Sequence, residues 1–457
     1  MGKKEQYKRL LNYAASLWIL AVETFMFGYM WYTYYVVIME NMDRGFYRRG
    51  NWAVIGMYTL IVFLFTRAFG GYSIGYLRIA DVCLSQVLAL FASNVVGYLQ
   101  IQITIASDQY LPVRPILQLT TAELVVILPS IFIIRYLFTR LYPPRKMIVI
   151  YGEYSPQDLI EKINSRKDRY DICATESVKV GYEMLYTRIM EYEAVLLCDL
   201  PSEIRNQILK FCFDQKKMTY MTPKLSDIII TGAEKVHLFD TPLMLARNQG
   251  LTIEQRIVKR MVDIVLSIAA IIITSPMFLL IAACIKGYDK GPVFYTQERV
   301  TVDGKRFQII KFRSMRVDSE TEGARLARKR DERITPIGNI LRRIHFDEFP
   351  QIFNILKGEM SFVGPRPERA QIAEEYESII PEFGFRLKVK AGLTGYAQIY
   401  GKYNTTPYDK LKLDLTYVEN YSVLLDLKLL LMTVKIVFQG ENTEGVEHSQ
   451  KTAVKEK

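Results

Sequence analysis

Residues 341–367 read LRRIHFDEFPQIFNILKGEMSFVGPRP and place two adjacent carboxylates among cations and a short apolar segment. Asp347 and Glu348 follow Arg342 and Arg343, and Arg366 stands further on between two prolines. In phosphoryl transfer, one carboxylate can attack phosphorus, another can hold Mg²⁺, and arginines can neutralise the phosphate charge. The stretch therefore predicts a phosphoryl-transfer site with Asp347 and Glu348 as its catalytic residues.

Helix capping by Asp347 is a second interpretation, because Asp is a good N-cap and Pro350 is tolerated in a first turn. The two interpretations are compatible, since a helix N-terminus offers N–H groups and a favourable dipole end to a carboxylate and to a phosphate alike. The prolines beside Arg366 restrict its backbone and reduce the entropy that it loses when it binds an anion.

The segment GKRFQIIKFRSM, residues 304–315, predicts a strand that follows a turn at Gly304 and ends in cations. Lys311 and Arg313 are two residues apart, so both can face one side of the strand, toward the site or toward solvent. The mixed charge run at 316–333 is either a solvated helix or loop, or a flexible cover that binds a nucleotide phosphate.

The chain has 457 residues, a formal net charge of +11 and an apolar fraction of 50%. This composition suits a chain that is partly embedded in a bilayer, with its cations facing anionic lipid headgroups. The long apolar runs argue against nucleic acid as the partner of these cations. The five cysteines contain no CxxC pair, so we expect neither a disulfide framework nor a zinc site.

Four apolar runs predict a transmembrane domain over residues 1–142. A span needs about 20 residues, and the second run reaches this length only if it continues toward Arg67. Basic residues before the first run and after the fourth predict that both ends lie in the cytoplasm. Glu23 and Glu123 fall within spans, where helix packing is the simpler role and a lipid or substrate contact is the other. The runs are Leu11–Met39, Trp52–Phe65, Val82–Ile105 and Leu117–Phe138.

Residues 146–250 are predicted to form a small Rossmann-like α/β domain. Strand candidates alternate with helix candidates, which is typical of a parallel sheet. The first turn lacks the GxGxxG glycines, so a regulatory or structural role is expected and NAD binding is disfavoured. The strand candidates are Met147–Tyr151, Ala194–Cys198 and Met218–Met221, and the helix candidates are Gln157–Ser165 and Pro201–Gln215.

Residues 261–285 form an apolar stretch that Ser275 and Pro276 interrupt. A proline within a helix removes a hydrogen bond and kinks the helix, and neighbouring hydroxyls are placed to satisfy the freed backbone groups. Cations flank both ends, which favours a re-entrant, hairpin-like membrane helix over a simple span. Further on, 424–438 is either an interfacial amphipathic helix or a core helix, and 441–457 is a polar tail.

Given these motifs, residues 256–440 resemble the bacterial sugar transferases called polyprenyl glycosylphosphotransferases, or monotopic phosphoglycosyl transferases. The four predicted spans and the Rossmann-like domain are similar to the long form of that family. The implied fold is a membrane α-helical bundle, a small Rossmann-like α/β domain and an α/β monotopic catalytic domain with a re-entrant helix. The matching stretches are KRMVDIVLS, GPVFYTQERV, KFRSM, DEFPQIFNILKGEMSFVGPRPE, AGLTGYAQIYGK and YSVLLDLKLLL, together with the break at Ser275-Pro276.

The resemblance implies that a sugar 1-phosphate moves from a UDP-sugar to undecaprenyl phosphate and that UMP is released. It implies Asp347 as the nucleophile of an aspartyl-phosphosugar intermediate, and Glu348 with Asp347 as the Mg²⁺ site. It places the protein in the bacterial inner membrane with its catalytic domain in the cytoplasm, where it would start an exopolysaccharide, a capsule or an O-antigen. The further substrate-binding positions that match the family are Lys311, Arg342, Arg366, Asp414 and Asp426.

One position departs from the family pattern: Lys402 stands where many relatives carry arginine, so a phosphate there would meet a point charge and not a bidentate fork. Two other functions stay open. A nucleotide-sugar dehydratase or epimerase would need a glycine-rich turn, and a non-enzymatic scaffold or regulator of polysaccharide assembly would release no UMP. The sequence does not identify the sugar, although the long architecture favours glucose or galactose, and it is compatible with a homodimer.

Overall fold

The computed structural model of the protein describes residues 3–41, 48–106, 110–246, 250–316, 333–402 and 405–439. Most of the predicted charge run and the whole predicted polar tail lie outside these residues. The chain divides into two compact units, Met1–Thr222 and Pro223–Lys457. The first unit contains the N-terminal apolar helices and a parallel sheet, and the second contains the acidic pair.

The first unit opens with a series of apolar helices, as the sequence predicts. They are α1 (Lys3–Met30), α2 (Val36–Asn41), α3 (Arg48–Phe69), α4 (Ile79–Ile105) and α5 (Arg114–Leu141). A π-helical turn at Trp31–Tyr35 joins α1 to α2. Because α3 continues to Phe69, the second apolar run reaches spanning length. Among the described residues, five helices are long and apolar enough to cross a membrane, the fifth being Ile253–Asp289 of the second unit.

Buried polar side chains join the helices of this bundle. The carboxylate of Glu123 accepts hydrogen bonds from Asn94 Nδ2 at 2.7 Å and from the Tyr58 hydroxyl at 3.1 Å. The indole N–H of Trp31 donates to Asn51 at 3.0 Å. These bonds support the helix-packing role predicted for Glu123, because they satisfy polar groups that lipid cannot satisfy.

A four-stranded parallel sheet with its helices completes the first unit. Its strands are β1 (Arg145–Tyr151), β2 (Tyr170–Ser177), β3 (Ala194–Cys198) and β4 (Met218–Met221), and its helices are α6 (Gln157–Asn164), α7 (Tyr182–Met190) and α8 (Ser202–Asp214). The strand order is β2-β1-β3-β4, with parallel pairing throughout, which confirms the predicted alternation. The sequence prediction missed β2, an edge strand whose segment YDICATES is mostly polar and alternates between half-buried and exposed residues.

The second unit combines short strands with helices. Its helices are α9 (Leu225–Thr231), α10 (Ile253–Asp289), α11 (Pro336–Arg343), α12 (Gln351–Lys357), α13 (Ala370–Ile379), α14 (Tyr396–Tyr400), α15 (Pro407–Glu419) and α16 (Val423–Gln439). Its strands are β5 (Glu234–Leu238), β6 (Thr241–Leu245), β7 (Phe294–Val300), β8 (Arg306–Phe312), β9 (Ser361–Val363) and β10 (Gly392–Thr394). The pairs β5–β6 and β7–β8 are antiparallel, and β9 pairs with β10 in parallel.

The helix α9 packs in the second unit, although the sequence assigned its residues to the Rossmann-like domain. Leu225 and Ile228 are buried in one cluster with Leu411 and Leu415 of α15. The two compact units therefore divide at Thr222, directly after the last strand of the parallel sheet.

The predicted break in the apolar stretch falls inside α10, and the helix continues past Pro276. The hydroxyl of Ser275 donates to the carbonyl of Ile272 at 2.9 Å. This is the carbonyl, four residues before Pro276, that the proline nitrogen cannot reach with a hydrogen bond. The hydroxyl of Thr274 donates to the carbonyl of Ala270 at 2.7 Å. Side chains thus bond backbone groups at the break, and re-entry into the membrane stays a prediction.

Candidate active site

The acidic pair lies in a tight turn between two short helices. The Thr335 hydroxyl accepts a hydrogen bond from Gly338 N at 2.9 Å and caps the start of α11. After α11 the chain turns at His345, whose φ of +56° lies in the left-handed region. A 3₁₀ turn then spans Phe346–Glu348. Left-handed backbone is uncommon for residues other than glycine, so the surrounding fold has to hold this turn in place.

The helix after the turn is not capped by Asp347, so the capping interpretation is wrong. α12 begins at Gln351 with Pro350 at its N-cap, and no side chain caps it within the described part of the chain. The rings of Phe346 and Phe349 stack at 4.5 Å on either side of the pair. The Asp347 carboxylate is therefore held in a buried turn without being used as a cap.

Glu348 brings together two of the cations that the sequence singled out. Its Oε1 lies 2.7 Å from Lys311 Nζ at the end of β8. The same oxygen lies 2.7 Å from Arg366 Nη2, and its Oε2 accepts from Arg366 Nη1 at 3.3 Å. Both terminal nitrogens of the Arg366 guanidinium therefore donate to the Glu348 carboxylate. This bidentate geometry fixes the direction of the contact and strengthens its electrostatic attraction.

This ion cluster keeps Glu348 ionised. Burial opposes its charge, but Arg366 and then Lys311 outweigh burial and hold the pKa of Glu348 well below its usual range. Burial also lowers the pKa of Lys311, although the charge of Glu348 counteracts that effect. The pKa of Arg366 is raised, chiefly by the charge of Glu348. Glu348 and its two cations are therefore a fixed electrostatic group at neutral pH.

Asp347 has the opposite electrostatic character. Burial raises the pKa of Asp347, and the charge of Glu348 raises it further. The charges of Lys311, Arg342 and His345 oppose this rise. The structure therefore places Arg342 where its charge acts on Asp347, whereas Lys311 acts on both carboxylates. Two adjacent carboxylates with diverging pKa values are typical of a catalytic pair.

Asn354 holds Lys311 next to the acidic pair, a role that sequence reasoning missed. Its Oδ1 accepts from the backbone N–H of Ile310 at 3.0 Å, and its Nδ2 donates to the carbonyl of Gln308 at 2.8 Å. The side chain is fully buried. Asn354 therefore ties α12, which follows the acidic turn, to β8, which ends in Lys311. The only signal in the sequence was a polar residue within the apolar segment IFNIL.

Arg313 has a different partner from Lys311. Both of its terminal nitrogens pair with Asp289 at the end of α10, with Nη1 at 2.7 Å from Oδ2. Its side chain is almost fully buried. Arg313 therefore ties α10 to β8 and does not join Lys311 at Glu348.

The backbone that carries Arg366 is bonded along its length. Gly364 N donates to the carbonyl of Thr394 at 2.8 Å, and Gly392 N donates to the carbonyl of Pro365 at 2.9 Å. A side chain added at Gly364 would meet the carbonyl oxygen of Lys390 at 2.3 Å, so this close approach requires glycine. The segment that presents Arg366 is thus built into the parallel pair β9–β10.

Two arginines outside the predicted set complete this support. Arg386 Nη2 donates to the carbonyl of Arg366 at 2.9 Å, and Arg299 Nη1 donates to the carbonyl of Pro367 at 3.1 Å. Arg386 is 2% exposed and pairs with Asp414 at 2.7 Å. The sequence predicted no role for either arginine, although Arg299 lies in the matching stretch GPVFYTQERV, because their targets are backbone carbonyls elsewhere along the chain.

The structure places Asp414 and Asp426 in buried ion pairs whose cations are not the ones that pair with Glu348. Asp414 is the partner of Arg386 and is 1% exposed. Asp426 lies 2.5 Å from Lys259 Nζ and accepts from the Tyr417 hydroxyl at 2.8 Å. The Asp426 pair joins α16 to α10, and the Asp414 pair supports the Arg366 backbone. Their contacts support the fold of the site, and their predicted contact with substrate stays a prediction.

Lys402 is exposed and lies two residues after the end of α14. Its backbone N–H donates to the Thr405 hydroxyl at 2.7 Å. Within the described residues, no contact joins its side chain to the acidic pair. Substrate binding by Lys402 therefore stays a prediction from the resemblance.

Mg²⁺ binding by Asp347 and Glu348 stays a prediction, and the two carboxylates are compatible with an ion that substrate phosphates also bind. No group of three His, Cys, Asp or Glu side chains forms a metal cluster within the described residues. Mg²⁺ commonly uses one or two carboxylates together with substrate phosphates and waters. Asp347 and Glu348 supply two such carboxylates, although Lys311 and Arg366 already bind Glu348.

The known proteins that this chain resembles are sugar transferases, and the family model that matches it has the same description. A model described as bacterial sugar transferase matches residues 254–440. The UDP-glucose:undecaprenyl-phosphate glucose-1-phosphate transferase of Klebsiella pneumoniae is 35% identical over 264 residues, which are 57% of this chain and 55% of that protein. The enzyme of the same name from Caulobacter vibrioides is 35% identical over 189 residues, 40% of this chain and 71% of that protein.

A relative that is named for a different sugar shares a similar percentage of identical residues with this chain. The UDP-N-acetylgalactosamine-undecaprenyl-phosphate N-acetylgalactosaminephosphotransferase of Aeromonas hydrophila is 38% identical over 186 residues, 40% of this chain and 44% of that protein. The chain spans about half the length of the Klebsiella and Aeromonas relatives. Similar identities to proteins named for different sugars leave the sugar open.

Proposed function

The chain belongs to the bacterial sugar transferase family, and on this premise we propose that it transfers a sugar 1-phosphate from a UDP-sugar to undecaprenyl phosphate. The products are undecaprenyl-diphosphate sugar and UMP. The observation that carries the proposal is the acidic pair, in which Asp347 has a raised pKa and Glu348 is held ionised by Lys311 and Arg366. A scaffold without chemistry would need no such pair.

The reaction proceeds in two displacements at phosphorus. An Asp347 carboxylate oxygen attacks the phosphorus that bears the sugar, and the bond to the bridging oxygen breaks, so UMP leaves with the electron pair. An oxygen of undecaprenyl phosphate then attacks the aspartyl-phosphosugar, and the Asp347 carboxylate leaves with its electron pair. Lys311, Arg342 and Arg366 neutralise the phosphate charge in both steps.

Asp347 and Glu348 would hold Mg²⁺ together with the diphosphate of the donor. When bound, the ion would supply further neutralisation of the phosphate charge. The residues themselves orient the donor: Arg366 is fixed by its bonded backbone, and Lys311 is fixed through Asn354. Such preorganisation favours the transition state because little rearrangement is needed at the moment of reaction.

A contact between the apolar helix α10 and the strand that leads to the site supports a lipid-borne acceptor. The apolar helix α10 is tied to the second unit by Asp263, whose Oδ1 accepts from Ser361 Oγ and from Phe362 N, both at 3.0 Å. This contact joins α10 to β9, the strand that leads to Arg366. We infer that α10 holds the site at the cytoplasmic face of the bacterial inner membrane, where undecaprenyl phosphate presents its headgroup, and that the product starts a cell-surface polysaccharide.

The test is UMP release by the full chain in nanodiscs with undecaprenyl phosphate, Mg²⁺ and a panel of UDP-sugars. The wild type should release UMP with one donor, and Asp347→Asn should lose release. Asp303→Asn, on an exposed turn of the β7–β8 hairpin, is the matched control and should keep full activity. After a quench without acceptor, intact-protein mass should show a phosphosugar adduct on the wild type.

Two outcomes would change the proposal. Full turnover by Asp347→Asn would exclude the covalent route. Absence of UMP release with every UDP-sugar and undecaprenyl phosphate would favour the scaffold or regulator function. Donors with glucose, galactose and N-acetylgalactosamine would identify the sugar directly.

A further inference from the structure

Glu23 is a buried carboxylate of the helical bundle that no hydrogen bond satisfies. It lies on α1 and is fully buried. Within the described part of the chain, neither of its carboxylate oxygens has a hydrogen-bond partner, and no basic side chain pairs with it. An isolated buried charge costs far more than a buried polar group, so a buried carboxylate is normally paired, neutralised or bound to a metal. Helix packing alone therefore leaves the charge of Glu23 unexplained.

The second carboxylate of this region, Glu123 on α5, has donors of its own. It accepts from Asn94 Nδ2 at 2.7 Å and from the Tyr58 hydroxyl at 3.1 Å. That hydroxyl also donates to Asn94 Oδ1 at 2.5 Å, so one proton serves two acceptors. The charges of Glu23 and Glu123 act on one another, which places both in one region of the bundle. This region therefore contains more acceptor oxygens than the donors that its residues supply.

Apolar side chains enclose both carboxylates along their helices. Each carboxylate lies one helical turn from a buried apolar residue on either side, and these residues belong to two separate apolar clusters. A charge between such clusters is poorly screened, because the surroundings have a low dielectric constant. The flanking residues are Ile19 and Phe27 on α1, and Leu119 and Ile127 on α5.

The groups around Glu23 offer oxygen atoms to a ligand. The charge of Glu23 interacts with Glu123 and with the hydroxyls of Tyr58 and Tyr72. Carboxylate and hydroxyl oxygens suit hard metal cations. Ca²⁺ takes about six to eight oxygens and Mg²⁺ usually keeps several waters, so a polar region between apolar clusters suits neither ion well. A cation of single charge is sufficient to neutralise Glu23.

We propose that the region between Glu23 and Glu123 binds a monovalent metal cation such as Na⁺, with Glu23 as its charged ligand. No hydrogen bond joins the two carboxylates among the described residues, whereas a metal ion can take an oxygen on each side of a wider gap. A proton on Glu23 would lack an acceptor there, and an unsatisfied buried donor is costly. The ion would join α1 to α5. The proposal is independent of the transferase function, since it concerns residues of the first unit alone.

The experiment measures the melting temperature of the full chain in detergent during titration with NaCl. Ionic strength and neutral pH are held constant with N-methyl-D-glucamine chloride, whose cation is too large for the site. Na⁺ should raise the melting temperature of the wild type in a saturable way, because it binds the folded state. Glu23→Gln should lose this dependence on Na⁺. Glu40→Gln, at an exposed glutamate of α2, is the matched control and should respond like the wild type.

A binding measurement on the wild type needs no substitution. Radioactive Na⁺ should bind the purified chain at neutral pH, and unlabelled Na⁺ should displace it, whereas N-methyl-D-glucamine should not. Absence of such binding would overturn the proposal, and so would an equal response to Na⁺ in Glu23→Gln and the wild type. Stabilisation of the wild type by acid and not by Na⁺ would also overturn it, because the occupant of the region would then be a proton.

Discussion

Replacement of Arg386 by glutamine should slow the reaction through Arg366, although we expect no direct contact between Arg386 and substrate. Arg386 donates to the carbonyl of Arg366 at 2.9 Å and pairs with Asp414 at 2.7 Å. A hydrogen bond from a charged donor contributes about 1.5–3 kcal/mol. If the transition state loses all of that stabilisation, kcat falls by about 10- to 150-fold. Arg386 is thus a positioning residue.

The same change also costs stability. Removing one partner of a buried ion pair typically costs about 3–5 kcal/mol, because the other charge stays buried. Burial raises the pKa of Asp414, against the opposing charge of Arg386. Asp414 can therefore take up a proton more readily than an ordinary aspartate once Arg386 is gone, and we expect a stability loss below that range.

A double-mutant cycle separates positioning from a general loss of structure. The assay is kcat and KM for UMP release by the wild type, Arg366→Gln, Arg386→Gln and the double variant. If Arg386 acts through Arg366, its replacement should cost little once Arg366 is absent. Arg306→Gln, with a side chain that is 58% exposed, is the control and should keep kcat. Additive losses in the cycle, or an unchanged kcat in Arg386→Gln, would refute the reasoning.

Further changes test other parts of the site. Glu348→Gln removes the charge that pairs with Lys311, and we expect kcat to fall at least about tenfold because a charge-assisted bond is lost. In a pH profile of kcat/KM, activity should fall on the acid side at a pH above the ordinary aspartate value of about 3.9, because the pKa of Asp347 is raised and its protonated form cannot attack. Burial lowers the pKa of Lys311, so the alkaline fall should come below about 10.4, and Lys311→Arg should remove it. Asn354→Leu removes the two hydrogen bonds between the Asn354 amide and the backbone of β8, so it should lower the melting temperature. Each backbone group that is left unsatisfied should cost about 1–3 kcal/mol of folding stability.

Each of these expectations has a contradicting result. Full activity in Glu348→Gln would show that the ion cluster is dispensable. An acid fall at or below the ordinary aspartate value would contradict the raised pKa of Asp347, and an alkaline fall that persists in Lys311→Arg would assign that ionisation to another group. Unchanged thermal unfolding of Asn354→Leu, followed by circular dichroism, would show that β8 is held without the amide.

Much of the candidate site could be predicted because its signals are local. Asp347 and Glu348 are adjacent in sequence, and the prolines that restrict Arg366 are its immediate neighbours. Runs of apolar residues likewise predicted the long helices, and alternating strand and helix patterns predicted the parallel sheet. Hydrophobic periodicity acts over a few residues, so one sequence is enough to show it.

The sequence alone determined the composition of the site: an acidic pair, a lysine at the end of a strand and an arginine between prolines. Only the tertiary structure decided which of these groups meet. Glu348 forms ion pairs with Lys311 and Arg366. Asp414 pairs with Arg386, and Asp426 pairs with Lys259. An ion pair depends on the distance between atoms that lie far apart along the chain, and that distance is set by how the helices and strands pack, which no local pattern records.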